Sequence, residues 1–323
     1  MPRWLKRIPR SQILSGMDRG VTPRTRDLRD LTLGALRDQG ITTRRLRWMG
    51  QHASHTFRCD AVDGERLLIR VCLPGVRTDA ELDAELIWLA ALARDTDLTV
   101  PVARFSVRVT TPQLPGGGRC IGFSWIEGRR CRYPPSRRLV ADLGRVLATL
   151  HGHAQGFRPP RGFTRPELDI QRLTWAGTWH ASRLATQPID PAIRRLLGET
   201  TRGVGEVLAR LGQDPAGYGL IHADLHLDNV LDHHGQARPI DFEDTSWGHY
   251  ALDLAITAAS IPDALHPVLL GGYQAVRPLP PGYQEHQAAL LAARHLFLAI
   301  WYLANGLPDD EGHLDQLRAL TRR

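Results

Sequence analysis

The sequence predicts an α+β protein with two lobes: a small antiparallel-sheet front lobe with one helix, and a larger, mainly helical back lobe. Short β-type runs separated by turn signals occupy the chain up to about residue 127, and one segment among them has apolar residues at helical spacing. From Ser136 onward, apolar residues recur mostly at helical spacing. We therefore expect a leader at 1–26, the front lobe at 27–127 and the back lobe at 128–323.

The leader carries most of the net charge. Seven of its residues are arginine or lysine and one is aspartate, which gives +6 of the total of +7. No aromatic ladder accompanies this charge, so we interpret it as a flexible solvated segment and expect no nucleic-acid contact except through it. We expect its deletion to change stability and activity little. Lys6 is the only lysine, so any phosphate anchor in the folded body must be an arginine.

The front lobe is built from β-type runs such as TFRCDAV, RLLIRVCL and CIGFSWI. Turn signals at Asp63-Gly64 and at LPGGG separate them, and we interpret LPGGG as a hairpin tip. The predicted helix follows Thr78 or Asp79, either of which can act as its N-cap, and its leucines recur at helical spacing.

The back lobe contains long helical patterns, including RRLVADLGRVLATLHGHA and HQAALLAARHLFLAIWYLANGL. Arg294 and His295 interrupt the second pattern, so we expect no membrane span. RPLPPG is predicted to be a rigid loop between two late helices. The four cysteines lack C-x-x-C spacing and indicate reduced thiols in a cytoplasmic protein.

A polar turn between two apolar pairs carries the strongest chemical signal, in the stretch LIHADLHLDNVL. His222 precedes Asp224 by two residues, Asn229 follows it by five, and Asp241 follows it by 17, directly after Ile240. This is the spacing of a kinase catalytic loop, in which one aspartate accepts the proton of an attacking hydroxyl. The asparagine and the second aspartate supply hard oxygen ligands for Mg²⁺.

Each of these residues also has an ordinary structural interpretation. Asp224 could cap a turn, Asn229 could occupy a left-handed conformation, and the motif alone recurs by chance. We favour the active-site interpretation because Asp241 and a sheet-rich lobe accompany the motif. The nearby histidines form no zinc-binding spacing, so we interpret them as surface or loop residues: His151, His153, His226, His233 and His234.

The quoted turn and the segment ARPIDFEDTSWGHYALDLA that follows it resemble the aminoglycoside phosphotransferase and choline kinase superfamily. The resemblance extends back through GQHASHTFRCDAVDGERLLIRVCLPG, AELIWLAALARDTDLTVPV and GFSWIEGR, and covers roughly residues 45–255. It implies a protein-kinase-like fold and transfer of the γ-phosphoryl group of ATP or GTP, with Mg²⁺, to a hydroxyl of a small molecule. No membrane partner is implied.

Carried over position by position, the resemblance implies that Asp224 is the catalytic base and that Asn229 and Asp241 are the metal ligands. His222 and Asp253 are expected to support the catalytic loop. The chain departs from the usual pattern in having alanine at position 223, where glycine is usual, and Glu243, where protein kinases have glycine.

In the front lobe, the resemblance places Arg70 where kinases carry the lysine that holds the α- and β-phosphates, and Glu85 where that lysine finds its partner. An arginine keeps the charge but is bulkier than lysine. A competing interpretation places Arg70 on the exposed face of its strand. The nucleotide loop is expected within Gly50–Thr56. Four further residues, from that loop and from GFSWIEGR, are expected to contact the nucleotide: Ser54, His55, Trp125 and Ile126.

The sequence leaves the acceptor open. A small-molecule kinase leads, because no activation segment ending in A-P-E follows Asp241. A protein Ser/Thr kinase of the stress-response type and a nucleotide-binding pseudokinase scaffold remain as alternatives. Aromatic residues that could line a substrate pocket, but that we interpret as core, are Trp175, Trp179, Trp301 and Tyr302.

Overall fold

The computed structural model describes residues 25–51, 54–75, 77–111 and 114–321. The predicted leader therefore lies outside the described residues, apart from its last two positions. The described chain forms two compact units. Of the described residues, the first unit contains those within 25–127 together with Pro160–Thr164, and the second contains Gly128–Pro159 and residues 165–321.

The first unit is an antiparallel sheet with two helices. Its five strands are in the order β1-β2-β3-β5-β4, and every neighbouring pair is antiparallel, as the sequence predicts. Its elements are α1 (Thr25–Asp38), β1 (Thr43–Gln51), β2 (His55–Ala61), β3 (Arg66–Cys72), α2 (Asp79–Asp95), β4 (Ala103–Thr111) and β5 (Leu114–Ser124).

Helix α2 is the helix that the sequence predicts. It begins with a capping box, in which the Thr78 side chain accepts from the Glu81 backbone N–H at 3.2 Å and Glu81 accepts from the Thr78 backbone N–H at 2.8 Å. Its leucines form a buried face, including Leu82 and Leu89. Because the cap satisfies backbone donors that have no partner inside the helix, the start of α2 is fixed locally.

Helix α1 was not predicted, so the expectation of one front-lobe helix was incomplete. Leu28, Leu31 and Leu36 are buried and belong to one hydrophobic cluster with Phe57 of β2. Leu31 and Leu36 follow Leu28 by three and eight residues, which is helical spacing, but the first residues of the helix were included in the charged leader. The leader boundary at residue 26 therefore falls inside α1.

The glycine run LPGGG lies at the start of strand β5. In the register of β4 with β5, Thr111 is opposite Leu114, and the run continues along the strand. The run is therefore part of strand β5, and our expectation that it forms the hairpin tip was wrong. The Asp63-Gly64 turn is present between β2 and β3, with Gly64 at φ 92°.

The second unit is mainly helical, as predicted, and carries two small sheets. One sheet pairs β10 with β7, and the other has the order β6-β8-β9. Its elements are β6 (Arg129–Arg130), α3 (Arg137–Gly156), α4 (Ile170–Leu173), α5 (Trp179–Thr186), α6 (Pro191–Leu211), β7 (Tyr218–Ile221), β8 (Val230–His233), β9 (Gln236–Pro239), β10 (Ser246–His249), α7 (Tyr250–Ala258), α8 (His266–Gln274), α9 (Tyr283–Ala304) and α10 (His313–Thr321).

The backbones of helices α3 and α8 are in direct contact, because each helix has a glycine where the two meet. A Cβ atom on Gly144 would collide with the Leu269 carbonyl oxygen, and one on Gly272 would collide with the Ala141 carbonyl oxygen. This close approach brings α3 beside Tyr273 of α8, which matters for the site described below.

Helix α9 is long and apolar enough to cross a membrane by length and composition alone. In this fold, however, 44% of that stretch is buried, and Arg294 within it is paired with a carboxylate of the same unit. A paired charge inside the stretch is a feature of a helix that packs against protein. The predicted loop RPLPPG separates α8 from α9, and all four cysteines are free thiols.

Candidate active site

The polar turn of the second unit is held between two strands, as the sequence predicts. Leu220 and Ile221 end β7, Val230 begins β8, and all three are almost fully buried. The residues between them form a bend and a single 3-10 turn. The apolar anchors therefore fix both ends of a short loop that carries several polar side chains.

Asp253 on helix α7 supports the start of this loop. Its Oδ1 accepts from the backbone N–H of Ala223 at 2.8 Å, and its Oδ2 accepts from the backbone N–H of His222 at 3.2 Å. The same Oδ2 accepts from His151 Nε2 at 3.0 Å. Since the Asp253 side chain is fully buried, these donors supply the compensation that a buried carboxylate requires.

His151 belongs to this support, so its interpretation as a surface or loop histidine was wrong. It lies on α3 and is fully buried, and its Nδ1 is 2.9 Å from the hydroxyl of Tyr273, which donates to it. Its ring also stacks on Tyr250, with centroids 4.5 Å apart. Burial lowers the pKa of His151, despite the opposing effect of Asp253. A neutral imidazole thus links α3, α7 and α8 beneath the loop.

His222 connects the loop to the residue that precedes Asp241. Its Nε2 donates to the Ile240 carbonyl oxygen at 3.1 Å, and the Ile240 N–H donates to the Asn229 carbonyl oxygen at 2.9 Å. Burial is the main cause of the lowered pKa of His222. These two bonds bring the backbone at Asp241 beside Asn229, although the two residues are 12 apart in sequence.

Two loop residues adopt left-handed backbone conformations. Ala223 has φ 68° and Asp241 has φ 66°. A left-handed conformation costs an alanine about 1 to 2 kcal/mol, whereas glycine adopts it freely. The structure thus explains why the superfamily usually has glycine at the position of Ala223, and why alanine there carries strain.

Asp224 is the most highly connected side chain of the loop. Asn229 Nδ2 donates to the Asp224 carbonyl oxygen at 2.9 Å and to its Oδ2 at 3.0 Å. His226 Nε2 lies 3.3 Å from Oδ2, and Arg294 Nη2 lies 2.8 Å from Oδ1. Burial acts to raise the pKa of Asp224, but Arg294 and His226 outweigh it and hold that pKa well below its usual value. The carboxylate is therefore ionised at neutral pH.

The residues predicted as metal ligands fit a hard divalent cation. Asn229 uses its Nδ2 on Asp224, which leaves its Oδ1 as the atom of the amide that can bind a cation. Asp241 has an exposed carboxylate and directly follows Ile240, whose backbone N–H donates to the Asn229 carbonyl oxygen. Amide and carboxylate oxygens are the ligands that Mg²⁺ accepts, with water and phosphate oxygens completing its octahedron.

In the first unit, the structure pairs Arg70 with Glu85. Arg70 Nη1 donates to Oε1 at 2.9 Å and Nη2 donates to Oε2 at 2.7 Å, so the contact is bidentate. Both side chains are almost fully buried, and the guanidinium lies over the Phe123 ring at 4.9 Å. The competing interpretation, with Arg70 exposed on the outer face of the strand, is wrong.

The four other residues predicted to contact a nucleotide lie in the same unit but do not form one cluster of polar groups. Ser54 is buried, with its Oγ donating to Cys72 Sγ at 3.5 Å. His55 is also buried, and neither of its ring nitrogens has a partner among the described residues. Ile126 is buried, whereas Trp125 is half-buried with the Arg58 guanidinium 4.7 Å from its ring. Their predicted role stays a prediction.

The sequence analysis missed Arg294 as a functional residue and treated it only as an interruption of an apolar run. A charged residue inside an apolar helix needs a buried partner, and this was the available signal. The partner is 70 residues away in the chain. His226 was assigned correctly to a loop, but its contact with Asp224 was not foreseen.

Residues 45–289 match the family model described as phosphotransferase enzyme family. This span exceeds half of the chain, and the protein therefore belongs to that family. The catalytic-loop motif identified in the sequence lies within the matched residues.

Relatives and solved structures agree with this assignment. The chain is similar to the amicoumacin kinase of Bacillus subtilis (strain 168), with 21% identity over 67% of this chain and 63% of the relative. It is 28% identical to the homoserine kinase of Azorhizobium caulinodans over 61% of each. The chain thus matches less than two thirds of the length of either relative.

The structure of amicoumacin kinase hAmiN in complex with AMP-PNP, Ca²⁺ and Ami superposes with a TM-score of 0.72. That match has 16% identity and covers 93% of this chain and 94% of the other. At this identity the likeness concerns the fold, and it confirms the predicted protein-kinase-like α+β architecture.

Proposed function

We propose that the protein transfers the γ-phosphoryl group of ATP or GTP to a hydroxyl of a small molecule in the cytoplasm, with Mg²⁺ as cofactor. The acceptor O–H bond breaks, its oxygen bonds to the γ-phosphorus, and the bond from that phosphorus to the bridging oxygen breaks. The nucleoside diphosphate leaves, and the proton passes to Asp224. Related proteins named as kinases, one of them complexed with a nucleotide analogue and a divalent cation, support this proposal.

The single observation that carries the proposal is the arrangement at Asp224. The carboxylate is ionised, and the Asn229 amide fixes the residue by donating one hydrogen bond to Oδ2 and one to the Asp224 backbone carbonyl oxygen. Phosphoryl transfer depends mostly on positioning and electrostatic stabilisation, so an immobile carboxylate beside the acceptor hydroxyl provides what the reaction needs.

The other residues receive roles consistent with their contacts. Asn229 and Asp241 would hold Mg²⁺, which when bound neutralises charge on the phosphates. Asp253 and His222 position the loop. In the first unit, Arg70 would contact the α- and β-phosphates. Because Glu85 occupies the bidentate face of its guanidinium, only the remaining N–H groups would serve the phosphates.

The test compares two substitutions in the loop. Asp224→Asn should lower kcat by about a thousandfold while Mg²⁺-dependent ATP binding stays within about threefold of wild type, because the proton acceptor is lost and the nucleotide contacts remain. Asp241→Ala should instead weaken ATP binding in the presence of Mg²⁺ and leave metal-free binding unchanged. Calorimetric titration with and without Mg²⁺ and a coupled diphosphate-release assay measure both.

The same assay distinguishes the two alternatives. A panel of amino sugars, aminoglycosides, macrolides, choline, homoserine and a generic protein substrate reports the acceptor class. Turnover of the protein substrate alone would favour a protein Ser/Thr kinase. Nucleotide binding without transfer to any acceptor would favour a pseudokinase scaffold, and wild-type turnover in Asp224→Asn would refute the assigned role.

A further inference from the structure

The ion pair between Asp224 and Arg294 differs from an ordinary supporting contact. Asp224 uses Oδ2 for Asn229 and His226 within the loop, and Oδ1 for Arg294 on helix α9. The Arg294 side chain is 10% exposed. Its guanidinium donates no hydrogen bond to another described residue, so the ion pair is its only polar contact there. A guanidinium has five N–H donors, and those that do not face Asp224 have no hydrogen-bond partner among the described residues.

Aromatic side chains continue from Arg294 along the second unit. The guanidinium carbon lies 5.8 Å from the ring of Phe297, one turn further along α9. That ring stacks on Trp175 with centroids 4.6 Å apart, and Trp175 lies 4.4 Å from His180. All of these rings are half-buried. We call Phe297, Trp175 and His180 the aromatic wall.

The aromatic wall has a fixed geometry. Trp175 Nε1 donates to the Phe297 carbonyl oxygen at 3.3 Å, which fastens the indole to α9. His180 is on α5, and burial lowers its pKa, so the wall is uncharged at neutral pH. Of the aromatic residues that the sequence analysis grouped together, Trp175 belongs to the wall. Trp301 and Tyr302 instead pack edge-on against each other near the end of α9.

The charge around Asp224 is unsuited to a cationic acceptor. Arg294 neutralises the carboxylate that an ammonium group would otherwise approach. The carboxylate of Asp244, three residues after Asp241, lies 3.7 Å from Arg172. Cationic ligands are recognised by a surplus of carboxylates, or by aromatic faces without competing cations. Arg294 compensates the Asp224 carboxylate and is itself a competing cation, 5.8 Å from the Phe297 ring.

We propose that Arg294 and the aromatic wall form the acceptor subsite, and that they select alcohols with an apolar ring and an anionic or neutral oxygen group rather than cationic alcohols. The inference rests on the proposed function and adds the class of acceptor. Arg294 would donate to the acceptor's oxygen group while holding Asp224 for the hydroxyl. The aromatic wall would contact the ring of the acceptor through its exposed part.

Three matched substrates test the charge preference, because they share a ring and a hydroxymethyl group. They are 3-(hydroxymethyl)benzoate, 3-(hydroxymethyl)benzamide and 3-(aminomethyl)benzyl alcohol, which are anionic, neutral and cationic respectively. Wild-type protein should use the benzoate with a kcat/KM at least about tenfold above that of the amine, with the amide between them, as expected for one charge-assisted contact.

Substitution of Arg294 should change the order of the substrates as well as the rate. Arg294→Gln lowers turnover of all three if it disturbs Asp224, so the informative quantity is the ratio of benzoate to amine, which should fall to about threefold or less. Arg294→Lys, which keeps the charge, should retain a preference for the benzoate. Arg210→Gln, which alters an exposed arginine on α6, is the control and should keep the wild-type ratio.

Each outcome separates this inference from the proposed function. A wild-type preference for the amine, or an unchanged ratio in Arg294→Gln, overturns the inference. Failure to phosphorylate any of the three ring alcohols while another alcohol is phosphorylated also overturns it. Failure to phosphorylate any alcohol at all refutes the proposed function. Thermal unfolding confirms that each variant is folded at the assay temperature.

Discussion

Among the described residues, each unit has a buried arginine paired with a carboxylate: Arg70 with Glu85 in the first unit and Arg294 with Asp224 in the second. The two pairs differ in the number of hydrogen bonds and in exposure. Arg70 and Glu85 exchange two hydrogen bonds, and their side chains are 6% and 2% exposed. Arg294 meets Asp224 through a single nitrogen, and those side chains are 10% and 24% exposed. Two hydrogen bonds and almost complete burial close the first pair, whereas the second leaves part of the Asp224 carboxylate exposed.

This difference follows from what each pair must do. A bidentate buried pair orients its own side chains, and removal of either partner leaves a charge without compensation. A pair with one contact can keep a carboxylate ionised and still present it to a substrate. We therefore expect substitutions in the first pair to affect stability most, and substitutions in the second to affect catalysis and specificity.

The largest stability effect should come from the Arg70 pair. Arg70→Ala should destabilise the protein by about 3 to 5 kcal/mol, because Glu85 is then buried without a partner. It should also lower kcat/KM for ATP at least about tenfold, with Arg70→Lys retaining more activity than Arg70→Ala. Glu85→Gln should have a smaller effect, and the double variant should lose less than the sum of the two. Urea unfolding and steady-state kinetics measure these changes.

The control for this prediction is the exposed Arg104–Glu65 pair of the same unit, whose side chains are 59% and 30% exposed. Arg104→Ala should cost no more than about 1 kcal/mol. If Arg70→Ala proves as mild as Arg104→Ala, burial does not distinguish these pairs and the comparison fails.

The next effect concerns the support beneath the second pair. Asp253→Asn replaces a carboxylate that accepts three donors by an amide that accepts through one oxygen. We expect a loss of about 1 to 3 kcal/mol in unfolding free energy and a lower kcat with little change in ATP affinity. Asp263→Asn, at a fully exposed position, should change neither quantity. A normal kcat in Asp253→Asn would show that the loop holds its geometry without this carboxylate.

A smaller effect is the pH dependence of stability. The pKa of His151 is lowered in the folded protein, mainly by burial, so below its ordinary value the unfolded chain binds a proton that the folded chain does not. Stability should therefore fall as pH decreases from 7 to 5.5, with a slope of up to about 1.4 kcal/mol per pH unit from this histidine. His151→Gln should reduce the slope in urea titrations, and an unchanged slope would contradict the neutral buried imidazole.

The smallest effect should be at Ala223. Replacement by glycine relieves the left-handed strain but adds freedom to the unfolded chain, so we expect a net gain below about 1 kcal/mol. Ala255→Gly, in the interior of helix α7, should instead lose about 1 kcal/mol. Thermal unfolding compares the two, and equal losses would indicate that Ala223 is not strained in solution.

Much of the candidate site could be predicted because its residues are close in sequence. His222, Asp224 and Asn229 lie within one eight-residue stretch bounded by apolar anchors, so their spacing alone indicates a common loop. The helix after Thr78 was predictable for a similar reason, since its cap and periodicity are local. Helix α1 was missed because charged residues flank its apolar positions.

By itself, the sequence determined the α+β architecture, the polar turn and its family, because backbone preferences and short spacings are encoded over a few residues. Only the tertiary structure decided that Arg294 meets Asp224 and that His151 lies beneath Asp253, whereas the pairing of Arg70 with Glu85 was already expected from the resemblance. The partners in the two unforeseen contacts are separated by 70 and 102 residues. Side chains so far apart meet only through the packing of whole helices and strands, which no local pattern records.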